Sequence, residues 1–166
     1  MACLKIGLKY SNPTKPILKV NLLDLFYIIM AQPLLSINLK RYVPKTSGRN
    51  DLARKKELRD LILAKIENID EIKQKCLGKK LSFKICFNLY SDSDEEGRKI
   101  KDLDNMLKIF CDVFPDFIDR DKTTKGLGLI PADQDDLIFE IHCEKKLVDS
   151  ESEEGIVFSI FEYTKL

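Results

Sequence analysis

The sequence lacks an excess of charge of either sign. Its 166 residues include 28 Lys and Arg against 27 Asp and Glu, which gives a formal net charge of +1. This balance excludes the uniformly basic surface expected of a protein that coats DNA passively, so any nucleic-acid role must depend on local patches. Hydrophobic residues make up 44% of the chain, which is enough for one domain with a sizeable core and excludes disorder throughout.

Long hydrophobic runs are also missing. The most apolar stretch, residues 22–31, contains Asp24 and has about half of the roughly twenty residues that a membrane span requires. It lies far from the first residue, and Gln32 and Pro33 follow it rather than the small residues of a signal-peptide cleavage site. We therefore expect a soluble, intracellular protein that is cytoplasmic and has no membrane partner.

The cysteine and histidine patterns typical of zinc sites or nucleophilic catalysis are absent. Five cysteines are present, an odd number, and none are spaced C-x-x-C, which is typical of reduced core thiols in a cytosolic protein. The single histidine, His142, has no cysteine or Ser-His-Asp arrangement around it, so we expect an ordinary strand residue. Lys125, Gly126 and Gly128 lack the spacing of a phosphate-binding loop and predict an ordinary loop.

Hydrophobic periodicity predicts four strands and two helices. The predicted strands are residues 35–39, 79–90, 137–144 and 156–163, and the predicted helices are 51–68, capped by Asn50, and 103–114, stopped by Pro115. This order predicts an α+β (α/β) domain over residues 34–166, a small mixed β-sheet with helices packed on one side. Residues 1–33 fit the plan poorly and are predicted to be an N-terminal extension, either an extra strand and helix or an appended segment.

The segment KDLDNMLK, residues 101–108, carries the sharpest chemical signal. Asp102 and Asp104 stand two apart where an extended segment enters a helix, so their carboxylates can converge on one cation. Lys108 follows Asp104 by one helical turn and would lie on the same face, within reach of an anion held by that cation.

A second acidic cluster precedes the third predicted strand and contains Asp133, Asp135 and Asp136. Carboxylates from the two segments would form a hard oxygen-ligand site suited to Mg²⁺ or Mn²⁺. Two plainer interpretations of the first segment stay open: Asp102 or Asp104 caps the helix, or Asp104 and Lys108 form an ordinary ion pair. A D-x-D pair also occurs in sugar-nucleotide transferases, although no nucleotide-binding half-domain is evident.

Basic residues are concentrated in one part of the chain. Residues 40–59 contain eight Lys and Arg against two acids, whereas residues 133–154 contain nine acids against two lysines. A basic loop and helix start can contact phosphates without reading sequence. The residues predicted to bind DNA in this way are Lys45, Arg49, Arg54, Lys55 and Lys56; the plainer alternative is a solvated helix face.

The sequence from residue 34 to 163 resembles the RusA family of Holliday junction resolvases. The resemblance is carried by the segments LSFKICFNLY, KDLDNMLKIFCDVF, DQDDLIFEIHCEKK and EEGIVFSIFEY, and it is most specific around Asp104. It implies a RusA-like fold and a Mg²⁺-dependent endodeoxyribonuclease that cuts branched DNA as a homodimer. Asp102 and Asp104 match the family's motif carboxylates, Lys108 its catalytic lysine and Asp135 its third metal ligand.

Three departures from the family pattern leave alternatives open. The connection from Asp112 to Asp135 is longer, which makes Asp133 and Asp136 alternative third ligands. The first loop matches only partly, and the N-terminal segment has no counterpart. The main competing function is a non-catalytic module of the same fold that binds DNA junctions without cutting them.

Overall fold

A computed structural model describes residues 32–42, 51–90, 102–131 and 135–164. The predicted N-terminal extension, apart from its last two residues, and the Asn50 cap lie outside these ranges. The helices are α1 (Asp51–Leu63), α2 (Ile69–Cys76) and α3 (Leu103–Cys111). The strands are β1 (Leu35–Lys40), β2 (Leu81–Leu89), β3 (Ile138–Leu147) and β4 (Gly155–Glu162).

The four strands form one mixed sheet in the order β1-β4-β2-β3. β4 runs antiparallel to both β1 and β2, while β3 runs parallel to β2 and is reached through α3. The predicted α+β class with a mixed sheet and helices is confirmed. β4 lies between β1 and β2, and the buried apolar residues of all three strands share one face of the sheet.

One face of the sheet carries the hydrophobic core. β1 alternates buried and exposed residues along its whole length, as a half-buried strand does. The helices cover the buried face: Leu58 and Ile62 of α1 are buried, and Phe110 of α3 lies 6.3 Å from the rings of both Phe83 and Phe87 and 5.0 Å from Phe158. These edge-to-face contacts fix α3 on the sheet and thereby position its first turn.

The helix predicted over residues 51–68 is confirmed to Leu63 and is wrong in its last five residues. α1 ends at Leu63, and a second helix, α2, which was not predicted, begins at Ile69. The break occurs because the Oδ1 atom of Asn68 accepts a hydrogen bond from the backbone N–H of Glu71, 3.2 Å away, and so caps a new helix. The spacing of apolar residues across the break imitates one continuous helix.

α3 ends at Cys111, three residues before the predicted end of its helix. The weak periodicity of residues 116–131 predicts a long loop or partly ordered excursion, whereas the structure gives this part of the chain a folded core of its own. The backbone N–H groups of Leu127 and Leu129 donate to the carbonyls of Val113 and Phe114, at 2.8 and 2.9 Å. Leu127, Leu129 and Ile130 are buried. The segment is therefore an irregular part of the core, packed beyond the end of α3. None of the helices among the described residues is long and apolar enough to cross a bilayer.

Candidate functional site

Asp102 occupies the N-cap position of α3 with an extended backbone, φ −75° and ψ 134°. Its carbonyl accepts the first helical hydrogen bond, from the N–H of Met106 at 3.0 Å, but its carboxylate makes no capping bond. Asp102 is exposed to solvent. The position is thus that of a cap, while the side chain is not used as one.

Asp104 and Lys108 lie one turn apart on α3, and both are exposed. Within the part of the chain that the structure describes, no ion pair joins them, so the plainer interpretation of the motif as an internal salt bridge is not realised there. The opposite face of the helix buries Met106, Ile109 and Phe110. The core contacts therefore hold α3 rigidly while the motif side chains face water.

The second acidic cluster lies immediately before β3. Asp135–Leu137 form a single 3-10 turn that leads into Ile138, and Asp136 is exposed. Asp133 and the side chain of Asp135 are outside the described residues. α3 packs against β3. The thiol of Cys111, at the end of α3, is close enough to the thiol of Cys143 in β3 for the two to interact electrostatically.

The donor chemistry at the start of α3 fits a hard divalent cation. Asp102 and Asp104 supply carboxylate oxygens, which Mg²⁺ and Mn²⁺ prefer, and neither carboxylate is bonded to another described side chain. Among residues 32–42, 51–90, 102–131 and 135–164, no three His, Cys, Asp or Glu side chains form a metal-binding group. The third ligand stays a prediction, since Asp133 and the side chain of Asp135 are not described by the structure.

The basic residues predicted to contact DNA divide into three groups. Lys45 and Arg49 lie outside the described residues. Lys55 forms an ion pair with Asp112, with Nζ 2.8 Å from Oδ2 and only 16% of the lysine side chain exposed. Arg54 is half-buried and Lys56 is exposed on the outer face of α1. Lys56 is therefore the member of the set that the described structure presents most openly to solvent.

The basic helix and the acidic motif belong to neighbouring elements. α1 packs against α3, and the Lys55–Asp112 pair joins the first half of α1 to the end of α3. Arg59 extends this connection, because its Nη1 donates to the carbonyl of Lys125 at 2.6 Å and its Nη2 lies 2.7 Å from Asp60 Oδ1. The basic surface of α1 is thus held in a fixed relation to α3.

A polar network that was not predicted from the sequence lies on the open face of the sheet. Ser82 Oγ donates to Glu140 Oε2 at 2.6 Å, and His142 Nε2 lies 3.1 Å from Glu140 Oε1. The Ser82 hydrogen bond, and then His142, lower the pKa of the Glu140 carboxyl. His142 lies within β3, as predicted; its contact with Glu140 follows from the i, i+2 spacing of one strand face.

Comparison with known proteins adds no relative. No family model, curated protein or solved structure matches the chain. The site must therefore be interpreted from its own residues.

Proposed function

We propose that the protein is a RusA-like, Mg²⁺-dependent endodeoxyribonuclease that resolves four-way DNA junctions by paired symmetric nicks, in recombination and repair in the cytoplasm. The observation that carries the proposal is the start of α3, where Asp102, Asp104 and Lys108 face solvent without being used for capping or internal pairing. Carboxylate oxygens that are held on a rigid helix and bonded to no other described side chain are available to coordinate a hard cation.

The roles follow from the chemistry of the side chains. Asp102 and Asp104 would hold Mg²⁺ or Mn²⁺, with Asp135 as third ligand and Asp133 or Asp136 as its alternatives. When bound, such an ion lowers the pKa of its water and polarises a phosphoryl oxygen. Lys108 carries a fixed ammonium one turn from Asp104, where it would bind a phosphate oxygen and stabilise charge that develops during cleavage.

Substrate binding would come from the basic region next to the motif. Arg54 and Lys56 on α1, together with Lys45 and Arg49 before it, would contact phosphates on the arms of the junction. A homodimer would supply two such sites related by a two-fold axis, which matches the symmetry of a four-way junction.

The test is cleavage of a labelled four-way junction and of a linear duplex of the same sequence, each with and without Mg²⁺. We expect nicks in the junction alone and only with the metal. Asp104→Asn should abolish nicking, and Lys108→Ala should slow it by about a hundredfold or more. Asp121→Asn, which changes an exposed acid away from α3, is the matched control and should cut like the wild type.

Two results would contradict the proposal. Junction nicking by Asp104→Asn at the wild-type rate would remove the metal assignment. Tight junction binding that is indifferent to Mg²⁺, with no nicking by the wild type, would instead support the non-catalytic junction-binding module.

A further inference from the structure

β3 is an outer strand with little cover on either face. Its ten residues are all exposed or half-buried, in contrast to the central β2. Among the described residues it pairs on one side only, with β2. A long outer strand leaves unpaired backbone groups that can pair with another chain.

The direction of those backbone groups can be derived from the ladder. The N–H of Val148 donates to the carbonyl of Leu89 at 2.9 Å, so Val148 directs its backbone polar groups toward β2. Neighbouring residues of a strand direct theirs to opposite sides. Counting back, Ile141 and Cys143 direct their N–H and C=O groups away from β2. The one irregularity in the pairing falls at Phe139, which leaves residues 140–147 regular.

Charge alternates along the open face of this regular stretch. Glu140, His142, Glu144 and Lys146 all lie on that face, opposite Ser82, Lys84, Cys86 and Asn88 of β2. Within the protomer they pair along the strand: His142 with Glu140 at 3.1 Å and Lys146 with Glu144 at 2.8 Å. Acidic side chains and side chains that can donate a proton thus alternate along this face, at every second residue of the strand.

We propose that β3 pairs antiparallel with β3 of a second copy, with the two-fold axis passing through Cys143. In an antiparallel pair, residues that lie opposite each other are on the same face of the joined sheet. The two-fold axis must therefore pass through a residue and not between two neighbouring residues. Centring on His142 would place Glu140 opposite Glu144, and centring on Glu144 would place His142 opposite Lys146. Centring on Cys143 places Glu140 opposite Lys146, and His142 opposite Glu144, on both sides of the axis.

The backbone agrees with this register. Cys143 lies opposite its own copy, so its outward N–H and C=O groups meet those of the copy as a hydrogen-bonded pair. The charged residues then occupy the non-hydrogen-bonded positions, where opposing side chains are closer. One strand pair is a small interface compared with the roughly 1,000 Å² of a stable complex, so we expect a reversible dimer. The inference rests on the homodimer within the proposed function and specifies its interface.

The test is a charge exchange followed by sedimentation in the absence of DNA and Mg²⁺. Lys146→Glu places two pairs of acids across the axis, and Glu140→Lys places two pairs of bases there; each should weaken dimerisation about tenfold or more. The double variant Glu140→Lys/Lys146→Glu restores opposite charges and should regain dimerisation. Lys40→Glu, on the other outer strand, is the control and should dimerise like the wild type.

Cross-linking gives a second measurement that does not depend on the charge variants. Cα atoms of a hydrogen-bonded antiparallel pair lie about 5.5 Å apart, but their Cβ atoms are too far apart for an unstrained disulfide, so a short bifunctional thiol reagent is the probe. The reagent should link two copies through Cys143, and Cys143→Ser should abolish that link. A wild type that stays monomeric, single variants that dimerise normally, or a folded double variant that does not recover would each overturn the interface. A monomeric Lys146→Glu protein that still makes both nicks would keep the β3 interface and the metal site, and would overturn the need for a dimer in the proposed function.

Discussion

Lys55 on α1 and Asp112, the residue after α3, form an ion pair with 2.8 Å between Nζ and Oδ2. The pair ties the basic helix to the helix that carries the acidic motif. It also gives a structural partner to a lysine that the sequence predicts to contact DNA. Part of the basic run therefore holds the domain together, and the remaining residues are those that we propose for phosphate contact.

The first prediction concerns the strength of this pair. Both side chains are partly covered, with 16% and 35% exposed, so the interaction should exceed that of a fully exposed pair. We expect a coupling free energy of about 1 kcal/mol in a double-mutant cycle of Lys55→Met and Asp112→Asn, measured by urea unfolding. Lys56→Met, one residue along the helix, should change the free energy of unfolding little; equal effects at both lysines would show that the pair contributes nothing specific.

The second prediction separates the two kinds of lysine on DNA. Neutralising Arg49, Arg54 and Lys56 together should weaken binding to all junction sequences alike. It should also make the slope of log K against log salt shallower by up to about three. The reason is that binding releases about 0.9 fewer counterions for each phosphate contact that is lost. Lys55→Met should leave the slope nearly unchanged, because its ammonium is already paired. Fluorescence anisotropy at several salt concentrations measures both slopes, and an unchanged slope in the triple variant would place the DNA elsewhere.

The third prediction concerns Gly155, at the start of β4. A Cβ atom built there would lie 1.9 Å from the backbone oxygen of Leu39 in β1, which is closer than atoms can approach. Gly155→Ala should therefore force β1 and β4 apart and cost several kcal/mol, about 3 or more. Gly78→Ala is the control: it has open space around it but a φ of +70°, so backbone strain alone should cost about 1 kcal/mol. Similar midpoints in urea for the two variants would contradict this account.

The fourth prediction concerns the aromatic core. Phe110 is fully buried and contacts the rings of Phe83, Phe87, Phe114 and Phe158. Phe110→Ala should destabilise the fold by about 3–5 kcal/mol, and Phe110→Leu should cost less and stay folded for measurement. Phe139→Ala changes a phenylalanine that is 47% exposed and should have a much smaller effect on thermal unfolding. A mild effect of Phe110→Ala would mean that α3 is not fixed by this cluster.

The fifth prediction is a pH dependence at Asp119. Hydrogen bonds from the Thr123 hydroxyl and from the Thr123 and Thr124 backbone N–H groups lower its pKa from 3.8 to about 2. A lowered folded-state pKa contributes stability that is present above pH 4 and is lost as the pH falls toward 2. Asp119→Ala should therefore be less stable than the wild type at neutral pH, with the difference closing in acid when both proteins are measured by calorimetry. Asp121→Ala, which removes an exposed carboxylate nearby, is the control and should unfold close to the wild type at neutral pH.

The strands could be predicted because their alternation survives in the sequence residue by residue. The separate helix α2 could have been recognised from Asn68 followed by Glu71 three residues later, a capping signal that the apolar spacing obscured. The pairing of Lys55 with Asp112 could not have been predicted, because tertiary packing alone brings together these two residues, which are 57 positions apart in the sequence. The same holds for the irregularity at Phe139, which depends on how β2 and β3 meet and not on either strand by itself.

The strand order also constrains how the domain can be synthesised. β4, the last strand of the sheet in the sequence, lies between β1 and β2, and its pairing joins Leu35 to Ile160 and Leu81 to Glu162. A nascent chain that stops before β4 can form the parallel β2–β3 pair but has no other described strand to which β1 can attach. The described sheet therefore cannot be completed until β4 has been synthesised, and a truncated product lacking β4 would expose unpaired edges of β1 and β2, which favours aggregation.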